Sequence, residues 1–142
     1  MRFLLDTNVV AEWVKPRPAP TVAQWLADVD EDRVFLSAVS IAEISRGIES
    51  MSAGRRRERL ATWLVEELPA RFERRILDID QRVALAWGAV MAHSRKAGAP
   101  ISSMDAFFAA TAKAHDLTLV TRNVRDFKAA GIRLFDPWQP SA

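Results

Sequence analysis

Five short apolar runs, separated by stretches of helical periodicity, restrict this chain to one broad architecture. The runs are Phe3–Leu5, Val34–Leu36, Arg75–Leu77, Leu117–Val120 and Ile132–Phe135. They are mostly continuous rather than alternating, the pattern of parallel strands covered on both faces. Between them, Gln81 to Arg95 places Val83, Trp87, Val90 and Met91 along one stripe, as a core-facing helix does. Gly98 and Pro100 then close it. Ser103 to His115 carries Phe107, Phe108 and several alanines, the composition of a closely packed helix. Strand–helix alternation over 142 residues predicts one domain, residues 1–142. Its class is α/β: a three-layer α/β/α fold around a central parallel sheet of about five short strands.

In such a sheet, ligands bind beyond the carboxyl ends of the strands. The first strand ends in Asp6-Thr7-Asn8, with a helix-like stretch, Val9 to Val14, behind it. Three more acids fall near the same edge. Glu43 lies early in the helix from about Ala38 to Ile48. Asp105 lies in the first turn after Ser102 or Ser103, and Asp126 in the first turn after Thr121-Arg122-Asn123. Each acid also fits a local capping role. Ser40-Ile41-Ala42-Glu43 and Ser102-Ser103-Met104-Asp105 match the capping box, and Asn123-Val124-Arg125-Asp126 is a similar arrangement. Asp80 reads as a cap only, before the helix that starts at Gln81. Four carboxylates meeting at one edge would raise each other's pKa. A divalent cation resolves that conflict and brings hydrolytic chemistry with it.

Composition narrows the metal. There is no Cys, and His93 and His115 are the only imidazoles. An oxygen-ligated ion, Mg²⁺ or possible Mn²⁺, therefore suits the chain better than zinc. No apolar run approaches a membrane span, and Asp6 and Glu12 interrupt the start. The expectation is a cytoplasmic protein with no membrane contact. A net charge of +2 and a pI near 9.5 are compatible with nucleic acid without demanding it.

The chain resembles PIN-domain proteins of the VapC type, in particular the FitB-like branch. The resemblance rests on Leu4-Leu5-Asp6-Thr7-Asn8, Ser37-Ala38-Val39-Ser40-Ile41-Ala42-Glu43, the segment from Ser103 to Ala112 around Asp105, Thr121-Arg122-Asn123-Val124-Arg125-Asp126-Phe127, and Phe135-Asp136-Pro137-Trp138. It implies a Mg²⁺-dependent endoribonuclease, the toxin of a type II toxin–antitoxin pair, paired with a VapB-like antitoxin and usually a homodimer. It also implies Asp6, Glu43 and Asp105 as metal-site and catalytic acids. Asp126 is taken as the fourth acid, with Asn123 as a polar helper. Thr7, Asn8 and Thr121 are the hydrogen-bond partners that orient those carboxylates.

Arg46 lies one helical turn after Glu43 and is the candidate RNA contact at the rim. Arg55-Arg56-Arg57-Glu58-Arg59 is the densest basic run. It reads either as a solvated helix face laced with Glu66, Glu67 and Glu73 or as a phosphate surface. Trp13 and Trp25 precede the third strand, where the resemblance places the antitoxin contact; core packing is their alternative role, and Trp87 is expected in the core. Two other functions fit the same fold: a PIN nuclease in RNA processing without an antitoxin, and a non-catalytic PIN interaction domain.

Overall fold

The computed structural model describes residues 1–140; the last two residues of the expected domain lie outside the described residues. Five strands form one sheet: β1 (Phe3–Leu5), β2 (Val34–Ser37), β3 (Ile76–Leu77), β4 (Thr118–Val120) and β5 (Leu134–Phe135). Their order is β3-β2-β1-β4-β5, and every pairing is parallel. The expected α/β/α sandwich is therefore the observed one. The strands are trimmed relative to the apolar runs. Arg75 closes a 3-10 turn, Glu73–Arg75, before β3, while Leu117 and Ile132 lie ahead of β4 and β5.

Successive side chains on a strand point to opposite faces, so each strand feeds two cores. Leu4, Phe35 and Leu119 enter one core, packed by Val83 and Val90 and by Ala106, Phe108 and Ala109. Leu5, Val34, Leu36 and Val120 enter the other, with Val9, Val22, Leu68 and Phe72. The first core is covered by α6 (Gln81–Lys96), α7 (Ser103–His115) and α8 (Val124–Phe127). The second is covered by α1 (Thr7–Val10), α2 (Pro20–Asp28) and α5 (Leu68–Phe72). Helix α3 (Ala38–Glu49) serves both, through Val39 on one side and Ile48 on the other. Helix α4 (Arg55–Thr62) is amphipathic and leads through a π-helical segment, Trp63–Glu67, into α5.

Local chemistry accounts for the helix ends. Asp80 caps α6 by accepting from the Val83 N–H at 2.9 Å, the role its sequence position suggested. Helix α7 begins at Ser102, whose hydroxyl accepts from the Asp105 N–H at 3.1 Å. It ends with Asp116 in the left-handed conformation, φ 53°. The stretch expected as one helix from Val9 instead splits into α1 and a 3-10 segment, Ala11–Val14. Trp87 packs against the Leu4 core, as expected, but at its margin. It is half-buried, stacked on Phe107 at 5.3 Å with its indole N–H donating to the Ser103 carbonyl at 3.1 Å. The acids expected to neutralise the arginine run also differ: Arg57 pairs with Glu49 at 3.1 Å and Arg71 with Glu31. No helix among the described residues is long and apolar enough to cross a membrane.

Candidate active site

The register of the central strands places the first two site residues. Leu5 pairs with Val120, so the residues that follow them, Asp6 and Thr121, leave the sheet side by side. The Asp6 N–H donates to the Val120 carbonyl at 2.9 Å. The Thr121 hydroxyl donates to Asp6 Oδ2 at 2.7 Å, and the Thr7 N–H donates to Oδ1 at 2.7 Å. Thr121 Oγ1 in turn accepts the Asn123 N–H at 3.0 Å, which fixes the hydroxyl's direction. Asp6 is thus both the N-cap of α1 and a buried carboxylate, 6% exposed.

Glu43 arrives from the neighbouring strand. Helix α3 starts immediately after β2, and its N-cap is Ser37, which accepts from the Val39 N–H at 3.0 Å. The capping box expected at Ser40 is therefore not the helix start. Ser40 lies inside α3, fully buried, and Glu43 sits in the second turn rather than the first. That shift frees both side chains to face α1. The Thr7 hydroxyl donates to Glu43 Oε1 at 2.5 Å and lies 3.0 Å from Ser40 Oγ. Ser40 was not legible as a site residue, because a serine three positions before a glutamate has a local explanation.

Asp105 and Asp126 come from the other face of the sheet. Asp105 is at the third position of α7, which touches α3 and α8. Asp126 is exposed on the four-residue α8. Asn123 makes no side-chain cap there; its carbonyl accepts from the Asp126 N–H at 3.0 Å. The capping alternative therefore holds for Asp6 and for the Ser102–Asp105 pair, and fails for Ser40–Glu43 and Asn123–Asp126.

The charges interact. The Asp6 carboxyl stands at about 6, raised chiefly by burial and set by the balance of all its neighbours. The Thr121 and Thr7 bonds pull it back, and the Asp105 and Glu43 carboxylates push it further up. Burial also raises Asp105; the Ser102 hydroxyl opposes this, and Asp126 and Glu43 add to it. Asp6 and Asp105 each feel Glu43, and Asp105 feels Asp126, so the four acids share one electrostatic neighbourhood.

Several observations bear on a metal. The donors are all oxygen, no basic side chain shifts Asp6 or Asp105, and among the described residues the Asn8 Oδ1 is buried without a hydrogen-bond partner. Among the described residues, no three acidic or imidazole side chains stand close enough to form a finished ligand cage. Mutual repulsion of the bare carboxylates accounts for an open arrangement of this kind. The donor chemistry fits a hard divalent ion.

A PIN domain model matches residues 3–132. The chain belongs to the PIN domain family. Toxin FitB of Neisseria gonorrhoeae is 36% identical over 136 residues, covering 96% of this chain and 98% of that one. VapC ribonuclease Y4jK of Sinorhizobium fredii is 33% identical over 139 residues, covering 98% and 99%. A crystal structure of FitAcB from Neisseria gonorrhoeae superposes with a TM-score of 0.91 at 35% identity, covering 96% of this chain and 98% of that one. The match to the PIN domain model includes β1, β2, β4 and all four acids, which is why the resemblance could be read from short motifs.

The remaining candidates lie outside this acid neighbourhood. Arg46 is exposed on α3, one turn beyond Glu43. Trp13 packs at 5.6 Å on Phe72 with the Arg71 guanidinium over its ring, and lines a cavity of about 290 Å³ with Pro18 and Leu26. Trp25 sits between Phe3 and Phe135, at 5.2 and 5.3 Å, beside a cavity of about 520 Å³. Both indoles are half-buried, so each packs on the core and still presents an edge.

A buried acid that sequence reasoning passed over is Glu12, 2% exposed. It accepts from the Ala19 N–H at 2.8 Å and pairs with Lys15 at 2.5 Å, closing the proline-rich loop onto α1. Burial pushes its carboxyl up, but those two partners, helped by the charge of Arg122, outweigh burial and hold it below the usual carboxylate range. The signal was an acid three residues ahead of a lysine in a Pro-rich loop.

Proposed function

We propose that this chain is a metal-dependent endoribonuclease, the toxin of a toxin–antitoxin pair, with Asp6, Glu43, Asp105 and Asp126 holding Mg²⁺ or Mn²⁺. The observation that carries the reading is the coupled carboxylate neighbourhood centred on Asp6, at the carboxyl edge of a PIN-domain sheet. The relatives named a toxin and a ribonuclease, similar over nearly their whole length, support the substrate class and the biological role.

The residues divide the work. Asp6, fixed at both oxygens by Thr121 and Thr7, is a preorganised anchor. Glu43, held through one oxygen by Thr7, leaves the other oxygen for the cleft. Asp105 and Asp126 face them from the opposite layer. Asp6, Glu43, Asp105 and Asp126 would hold the ion, which would supply charge neutralisation and Lewis acidity at the phosphodiester. No side-chain nucleophile is required.

An antitoxin of VapB type is the partner, with Trp13 and Trp25 as its apolar anchors, and the toxin works in the cytoplasm as a homodimer. RNA hydrolysis should require Mg²⁺ or Mn²⁺ and stop in EDTA. Asp6→Asn and Asp105→Asn should each abolish it. Undiminished hydrolysis in EDTA removes the metal from the mechanism.

A further inference from the structure

Four carboxylates at one edge repel a substrate that carries one negative charge per nucleotide. An ion at the centre offsets only part of this, so a cation held at the rim has work to do. Arg122 is in that position. It directly follows Thr121, the residue bonded to Asp6, so its backbone is tied to the site's most buried carboxylate. Its side chain is exposed, yet its guanidinium lies 5.2 Å from the centroid of the Trp138 ring.

The ring itself is fixed. The Trp138 N–H donates to Asp136 Oδ1 at 2.8 Å, Pro137 ahead of it is buried, and the indole packs on the core that contains Leu5 and Val120. Two other arginines of the sheet are consumed by structure. Arg133 pairs with Asp116 at 2.9 Å, and Arg75 donates to the Glu31 and Val34 carbonyls. Among the described residues, Arg122 has no carboxylate within 4.0 Å. The carboxylate its charge does act on, Glu12, is buried and already satisfied by the Ala19 N–H and Lys15, so a guanidinium stacked on a ring at this edge keeps its donors for another anion.

We infer that Arg122, preorganised on Trp138, is a positioning residue that docks an RNA phosphate beside the acidic site. It stands on the sheet face opposite Asp105 and Asp126, because Trp138 packs with the Leu5 core and those two acids with the Leu4 core. A strand of RNA crossing the edge therefore meets the acids on one side and the guanidinium on the other. The planar guanidinium matches two phosphate oxygens, and stacking limits the rotamer freedom it loses on binding. This inference rests on the nuclease reading, and direct RNA binding separates the two.

The experiment measures binding of a short single-stranded oligoribonucleotide by fluorescence anisotropy in EDTA across a salt series. It also measures kcat and KM with Mg²⁺. One single-strand phosphate contact gives a salt slope of about 0.7, or about fivefold in affinity at roughly 0.1 M salt. Arg122→Ala should weaken binding by about that factor, lower the slope by about 0.7, and raise KM with kcat little changed. Arg122→Lys should keep the slope. Trp138→Leu should give an intermediate loss. Lys113→Ala, an exposed cation near the end of α7 at the opposite edge of the sheet, should change nothing.

An unchanged slope and affinity in Arg122→Ala, with the wild type still binding and cutting RNA, overturns this inference and leaves the nuclease reading standing. An equal loss in Lys113→Ala also overturns it, because the effect is then general charge. So does a variant that binds RNA normally but loses only its partner protein. A wild type that neither binds nor cuts RNA overturns both readings.

Discussion

Neutralising Asp6 should stabilise the metal-free protein, and the gain should depend on pH. Asp6 is buried, and its carboxyl is raised to about 6 from 3.8. A carboxylate raised on folding is penalised in the folded state when charged. The penalty is small at acidic pH, where the folded group stays protonated. It grows as pH rises from the unfolded value to the folded one and is then constant. A shift of about two pKa units corresponds to about 3 kcal/mol at full development, with about 1 kcal/mol already present near pH 4.5. The wild type should therefore lose about 2 kcal/mol relative to Asp6→Asn between about pH 4.5 and 7.5. The hydrogen bonds from Thr7 and Thr121 shift the absolute gap between the two proteins, but their effect on its pH dependence is far smaller. Urea denaturation in EDTA at both pH values measures the gap. A gap that stays constant, or that narrows toward neutral pH, refutes the account of Asp6 as a buried and electrostatically crowded acid. Millimolar Mg²⁺ should close the gap by binding the folded wild type.

Three further outcomes test the framework around the site. Thr121→Val leaves Asp6 Oδ2 without its donor and Asn123 without its acceptor. It should cost about 1–3 kcal/mol in urea denaturation and move the Asp6 titration higher in carbon-detected NMR. Ser37→Ala should cost about 1 kcal/mol as a lost helix cap, whereas Ser40→Ala should leave the α3 cap intact and reduce cleavage through Thr7, in paired melting and activity assays. Glu12→Ala strands the half-buried Ala19 N–H and should cost about 1 kcal/mol, with Glu12→Gln costing less because its amide oxygen still accepts.

The sheet was legible because each strand is a short apolar run that alternates between two cores, and the parallel order follows once helices separate the runs. Asp6 and Asp105 were legible because a strand end and a helix first turn are marked by local residue types. Glu43 was found on a helix expected from about Ala38, and the capping box at Ser40 was its competing local explanation. Ser37 and Ser40 both satisfy a capping pattern, and only packing against α1 selects Ser37. The pairing of Thr7 with Glu43, and of Thr121 with Asp6, spans 36 and 115 residues. No local pattern encodes such distances. Arg122 was quoted only as part of a motif, because stacking on a tryptophan sixteen positions later leaves no local trace.

The position of β1 at the middle of the sheet has a consequence for how the protein is made. The first strand to leave the ribosome needs β2 on one side and β4 on the other, and β4 begins at Thr118. Until then β1 has an open edge, Asp6 lacks Thr121, and Asp126 does not yet exist. An enzyme that cuts RNA is synthesised on RNA. With the proposed set of acids, the order of segments leaves the nascent chain without a complete site until synthesis has passed Asp126.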